Sequence, residues 1–491
     1  MIRTLPFQRL YIGGEWVTPS DSAGSFDVVS PVTEEVTTTV PSAGPADMDA
    51  AVAAARAALD AGPWAESRPE DRIAVLTSFR DLLTDAAGEM AELITTEMGC
   101  PLTQSRSNQV GSPLGLLNNY LSFAATYPFQ EIRRSVNGAT ALVTREPVGV
   151  VAAVIPWNMP LLAGLHKIVP AILAGCSVVL KPSPEAPLSS YLVAELLESA
   201  GLPSGVLNLV PADREASEYL ISHPGVQKVA FTGSSPAGRR IASICGRDLR
   251  RVTLELGGKS AAVVLDDADL NATAEALRMG SFRNSGQVCS LKTRVLVSEH
   301  RQPELLERLV ALVESMPVGD PWDASTQIGP MVSDRHRSVV EGYLQIARDE
   351  GAKEIIGGGR PEKFARGWYV EPTVLADVRP DMRVAQEEIF GPVLSVITYR
   401  DEDEAVAIAN NSSYGLSGSV FGDDVEHAVR VARRIRTGTV EINGSPSGPA
   451  APVGGVKGSG MGREGGREGI EPYTEIKSYG LAPDVAARFA D

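Results

Sequence analysis

Between residues 150 and 254 the chain repeats one rhythm: a short run of apolar residues, a turn, then a helical stretch. The runs predict strands at 150–155, 177–180, 206–210, 228–231 and 251–254. The stretches between them predict helices at 161–174, 188–200, 215–222 and 237–245. Strands without polar alternation are buried on both faces, and strands joined through helices run parallel. Few folds satisfy both conditions; an α/β sheet covered on each side does. Past Gly257 and Gly258 the alternation continues in a looser form. Strands are predicted at 261–265, 294–297, 393–398, 418–421 and 439–442, and helices at 303–314 and 403–409. No internal repeat links the two halves, so they read as two different α/β domains divided near those glycines. Before them, residues 1–45 are strand- and turn-rich, and 47–127 carry helical periodicity at i, i+3 and i+4.

Composition narrows the function. The 491 residues carry a net charge of −16 with no basic block, which argues against a nucleic-acid partner. The first residues, MIRTLPFQRL, lack the apolar core of a secretory signal, and no 18-residue apolar run exists to span a membrane. Cys100, Cys176, Cys245 and Cys289 are far apart and form no C-x-x-C pair. That usage points to a reducing, cytoplasmic compartment. The five histidines have no ligand-spaced neighbours, so no metal site is expected.

One cysteine stands apart. Cys289 sits in N-S-G-Q-V-C-S, among small and polar residues that make a poor core. A buried small hydrophobe is the ordinary alternative for a free cysteine. A working thiol needs a base, an oxyanion donor and an electrophile. No histidine lies in a motif that suits the base. Glu255, in E-L-G-G-K, stands at the carboxyl end of an apolar strand, where α/β sheets place their sites; a solvated strand-end charge is the competing reading. Asn158, in I-P-W-N, occupies another strand end and can donate to an oxyanion together with the Cys289 N–H; a helix N-cap is its competing reading. Lys181, in K-P-S-P, is placed to meet ribose hydroxyls or a phosphate. Gly233 and Ser234, in F-T-G-S-S, are placed to meet a pyrophosphate at a helix N-terminus. Gly460, Gly462 and Gly465 satisfy G-x-G-x-x-G, but no predicted strand precedes them and they read as loop glycines.

Taken together, PWN, KPSP, FTGS, ELGGK, GQVC, EEIFGPV and KGSGMGREGG, in this order, resemble the aldehyde dehydrogenase superfamily of the NAD(P)-dependent, hydrolytic type, over nearly the whole chain. The resemblance implies a Rossmann-like parallel-sheet cofactor domain (1–125 and 148–256), a second α/β catalytic domain (257–458) and a small β oligomerisation arm (126–147 and 470–491). It implies Cys289 as nucleophile, Glu255 as base, Asn158 as oxyanion donor, and Lys167 with Glu464 as a pair handling protons. It assigns cofactor contacts to Ile155, Pro156, Trp157, Lys181, Ser183, Pro184, Phe231, Thr232, Gly233, Ser234, Leu256, Glu388 and Phe390. The implied reaction turns an aldehyde, NAD and water into a carboxylic acid through a Cys289 thiohemiacetal and thioester.

Some positions depart from the family pattern. Pro184 replaces a frequent glutamate, so NAD is implied with NADP as the alternative. Val453 replaces a frequent phenylalanine, and His166 a frequent tryptophan; with Met159 and Ala163 they suggest room for a bulky or branched aldehyde. A homodimer or homotetramer is expected, docked through a two-stranded arm at 129–145 and a strand at 474–481. The alternatives are a CoA-acylating member of the same family, a cofactor-independent thiol esterase, and a non-catalytic protein on the same scaffold.

Overall fold

The computed structural model describes residues 5–20 and 24–489. Residues 1–4 and 490–491, the outer ends of the first and last segments assigned from sequence, lie outside them.

The predicted rhythm forms the middle of an eight-stranded sheet. Its parallel strands are Val150–Val154, Ser177–Lys181, Leu207–Leu209, Lys228–Thr232 and Arg251–Glu255. Across the sheet they lie fifth, fourth, first, second, third. The winding direction therefore reverses between Val150–Val154 and Lys228–Thr232, which pair with Phe231 opposite Val154. Apolarity on both faces has a direct cause: Val151, Ala153, Val178 and Leu180 enter one core cluster, while Val150, Ala152, Val154 and Val179 enter another. Two antiparallel strands, Leu10–Ile12 and Glu15–Val17, extend one edge. At the other edge Gly460–Met461 pairs antiparallel with Leu254 and Glu255. Gly460 is thus a strand residue, against the loop expected for it.

The chain leaves this sheet after Glu255 and enters a seven-stranded one at Ser260–Val264. Its order is Lys353–Ile356, Thr373–Ala376, Val393–Tyr399, Lys292–Ser298, Ser260–Val264, Gly418–Phe421 and Glu441–Ile442, all parallel except the first. The strand expected at 439–442 shrinks to its last two residues. The first two strands of that order were not expected, nor was the helix Asp334–Glu350.

The two strands expected for the arm and the expected C-terminal strand form one three-stranded sheet. Thr474–Leu481 pairs within the chain with Thr140–Pro147, which pairs in turn with Gln130–Arg134. Among the described residues no helix is long and apolar enough to cross a membrane.

Candidate active site

In doubly wound sheets, ligands bind beyond the carboxyl ends of the strands where the winding reverses. Here Ile155-Pro156-Trp157-Asn158 follows one of those strands and Thr232-Gly233-Ser234 ends the other. Ile155 N–H extends the ladder to Lys181 O at 3.0 Å, and Gly233 N–H donates to Glu255 O at 3.0 Å. Ser234 caps the helix Ser235–Arg247, its hydroxyl accepting from Ala237 N–H. The helix Pro160–Ala174 is preceded by Met159 at its N-cap, so Asn158 does not cap it. Instead the Asn158 amide Nδ2 donates to Gln287 O at 2.9 Å.

These strand ends open on a cavity of about 250 Å³. Pro156, Trp157, Asn158, Thr232, Gly233, Ser234, Glu255, Leu256, Gly257, Cys289, Glu388 and Phe390 line it. The other expected site residues stand outside that lining. Ile155 belongs to the core, and Phe231 packs so closely on Gly233 that a Cβ there would lie 2.5 Å from its ring. Lys181 ends the neighbouring strand with Ser183 and Pro184 just beyond it. Lys167 and Glu464 form a buried ion pair at 2.8 Å, and Lys167 Nζ also donates to Thr232 Oγ1 at 2.6 Å.

The thiol is presented by a left-handed turn. Asn284, Ser285 and Gly286 have φ of 52°, 56° and 78°. Such values at a non-glycine residue cost on the order of 1–3 kcal/mol each, so the surroundings must hold them. Ser285 Oγ donates to Gly329 O at 2.9 Å, and Gln287 Nε2 to Asn284 O at 3.1 Å. Gln287 Oε1 accepts Val332 N–H at 3.0 Å. At Gly286 a Cβ would lie 2.1 Å from the Gly391 carbonyl, which demands glycine. Cys100, Cys176 and Cys245 are buried, whereas Cys289 is partly exposed.

Burial pushes the Cys289 thiol up to about 12, with the Glu388 and Glu255 carboxylates adding to the shift and the Arg283 guanidinium opposing it. A raised thiol is protonated at neutral pH, and its thiolate fraction grows tenfold per pH unit below the pKa. Iodoacetamide alkylation of Cys289 in the cofactor-free protein should therefore rise steadily from pH 7 to about 10. A plateau below pH 8, read by peptide mass spectrometry, would contradict this environment.

Burial and then Glu464 raise Glu255 well above the ordinary carboxyl range, against Lys167 and Arg463. Its Oε1 is buried and has no hydrogen-bond partner among the described residues. Glu388 is pushed up to about 7 by burial, although its Oε1 accepts Gly258 N–H at 3.0 Å.

Several residues at the site escaped the sequence reading. His336 Nε2 bonds Phe390 O at 2.7 Å, and its ring packs edge-on against Trp157 and Phe390. Phe390 itself has φ of 58°. Gln104 and Gln109 reach the Cys289 turn and Asn158 from the N-terminal helices. No local motif marks these three. His166 and Val453 converge over Gly465, where a Cβ would lie 3.3 Å from His166 Cε1 and 3.8 Å from Val453 Cγ2. Burial lowers His166 to about 4, so its ring is neutral.

Residues 16–479 match the model of the aldehyde dehydrogenase family. Geranial dehydrogenase of Castellaniella defragrans is 47% identical over 478 residues, covering 97% of this chain and 99% of that protein. A betaine aldehyde dehydrogenase of Rhizobium etli is 40% identical, covering 98% and 99%. Among solved structures, an aldehyde dehydrogenase of Mycobacterium tuberculosis complexed with NAD+ superposes with a TM-score of 0.95 at 43% identity, over 97% of this chain and 98% of that one. A mutant of aldehyde dehydrogenase C from Pseudomonas syringae, with NAD+ and octanal, gives 0.94 at 41% identity, over 97% of each. With likeness of this extent from end to end, around a thiol presented at the point where the sheet reverses, the chain belongs to the aldehyde dehydrogenase family.

Proposed function

We propose that this protein oxidises an uncharged, largely apolar aldehyde to its carboxylic acid, with NAD as oxidant and Cys289 as the covalent nucleophile. One observation carries the reading: Cys289, Asn158 and Glu255 face a single cavity whose other wall is the reversal point of a parallel sheet. The donor set suits a dinucleotide. The N-terminus of Ser235–Arg247 offers N–H groups to a pyrophosphate, and the Glu388 carboxylate offers acceptors to ribose hydroxyls. When bound, oxidised NAD supplies the hydride acceptor, which no side chain can be.

The chain's own residues perform the rest. Arg283 favours the thiolate as the sulfur adds to the aldehyde carbon. One N–H of the Asn158 amide is committed to Gln287 O, leaving the second, with the Cys289 backbone N–H, for the oxyanion. The C–S bond survives oxidation as a thioester. Glu255, strengthened as a base by its raised pKa, then takes a proton from the hydrolytic water, and the acid leaves as the thiol re-forms. The Lys167–Glu464 pair acts on the protonation of Glu255 through its charge. In this reading 1–125 and 148–256 hold the cofactor, 257–458 carry the thiol, and 126–147 with 470–491 bridge subunits.

Substrate class is read from the four positions named from sequence, two of which, His166 and Val453, converge over Gly465. Met159, Ala163, Val453 and neutral His166 offer no charge and no aromatic cage for a quaternary ammonium. The absence of charge at these positions favours a bulky or branched aldehyde of the geranial type over betaine aldehyde; relatives bear both names. Val453→Phe should cut kcat/KM for such a branched aldehyde about tenfold while sparing a short linear one. Equal effects on both, in an aldehyde panel followed by nicotinamide absorbance, would contradict the assignment.

Thr474–Leu481 is an edge strand in this chain, with Ile476 66% exposed. An open edge of this kind is a template for pairing, and supports assembly as a homodimer or homotetramer. A monomeric mass at micromolar concentration, by light scattering, would overturn it.

A further inference from the structure

The segment Ser105–Gly111 is a π-helical turn set between Leu102–Gln104 and Ser112–Ala124. Such wide turns are rare, and they recur at functional sites. This one points Gln109 inward, where it is 1% exposed. Gln109 Nε2 donates to the main-chain carbonyl of Asn158 at 2.9 Å. The same carbonyl accepts Asn284 Nδ2 at 3.1 Å. Just ahead of the turn, Gln104 Oε1 accepts Asn284 N–H at 2.8 Å, while its Nε2 donates to Gln327 O at 2.7 Å. One short piece of the N-terminal half therefore grips both Asn158, in the loop after Val150–Val154, and Asn284, which opens the thiol turn.

Asn158 is held at two points. Gln109 and Asn284 fix its carbonyl, and Gln287 O fixes one N–H of its amide. Neither glutamine is among the residues that line the cavity, and Gln109 is buried behind them. Oxyanion donors tolerate only small displacements, and such groups are kept in place by neighbours that do not react.

We infer that Gln109 is a positioning residue for the reaction: its amide fixes the Asn158 backbone so that the free side-chain N–H faces the oxygen of the aldehyde added to Cys289. The inference rests on the reading of Asn158 as oxyanion donor, and the experiment separates the two.

Gln109→Met, Asn158→Ala and the double variant are compared with the parent by the pre-steady-state burst of NADH, by KM for NAD, and by alkylation of Cys289 with iodoacetamide. Alkylation builds no oxyanion and so reports the thiol turn alone. Asn158→Ala should slow the burst by about 10²–10³-fold. Gln109→Met should slow it about tenfold, with KM for NAD and the alkylation rate within twofold of the parent. In the Asn158→Ala background it should do nothing further, because residues that act as a unit are non-additive. An undiminished burst in Asn158→Ala removes the oxyanion reading itself. If Asn158→Ala is slow, three results overturn the role of Gln109: a parental burst in Gln109→Met, independent multiplication of the two effects, or a parallel loss of alkylation. Should Gln109→Met not fold, Gln109→Asn is used instead. It keeps the amide but withdraws it by one methylene, and the same non-additivity is expected.

Discussion

Replacing Cys289 by serine lowers aldehyde oxidation by about 10⁴-fold or more, the scale seen when a covalent nucleophile is removed. Serine fits the same space, so packing around Val288 and Ser290 is kept. What is lost is acidity. Even with its thiol raised by burial and by Glu388 and Glu255, cysteine ionises far more readily than an alcohol, and its thiolate is a strong nucleophile. Dinucleotide binding should survive, because the helix N-terminus at Ser234 and the Glu388 carboxylate that would hold the dinucleotide are left in place. The check is a turnover assay beside NAD titration by protein fluorescence. Loss of binding in step with turnover would point to a structural role for the sulfur.

Glu255→Gln should split the reaction in two. If Glu255 serves the water step, the first turnover still releases about one NADH per site, after which steady turnover falls by about 10²–10⁴-fold. Glutamine keeps the shape and removes the base. It also removes a negative charge that raises the thiol. Alkylation of Cys289 at fixed pH should therefore quicken in this variant. A burst and a steady rate that fall together would place Glu255 ahead of the thioester.

Much of the fold is written locally. Runs such as VVAAV at Val150–Val154 and SVVLK at Ser177–Lys181 are wholly buried, and no alternation dilutes their signal. Thr373–Ala376 is a short run directly after Pro372, which reads locally as a turn. Lys353–Ile356 is a half-exposed edge. The helix Asp334–Glu350 buries only Val340, Leu344 and Ala347, a stripe too thin to stand out in a polar segment.

At the site, the legible residues are those at strand ends. Parallel strands deliver their carboxyl ends to one side of a sheet, which marks Asn158 and Glu255; Cys289, ahead of Lys292–Ser298, is marked instead by its small polar neighbours. The illegible residues act across long separations. Gln109 lies 49 residues from Asn158, Gln104 lies 180 from Asn284, and His336 lies 54 from Phe390. Nothing in their local sequence distinguishes a side chain that will support a distant turn from one that will face water. The Thr474–Leu481 strand shows the same limit, since its partner Thr140–Pro147 is set by topology alone.

The most direct measurement of the central claim is mass spectrometry of Glu255→Gln, acid-quenched after mixing with NAD and an apolar aldehyde and then digested. The account predicts that the peptide carrying Cys289 gains the mass of the acyl group, that hydroxylamine releases it, and that Cys100, Cys176 and Cys245 are unmodified. An NADH burst with no adduct on Cys289, or with the adduct on another residue, would contradict it.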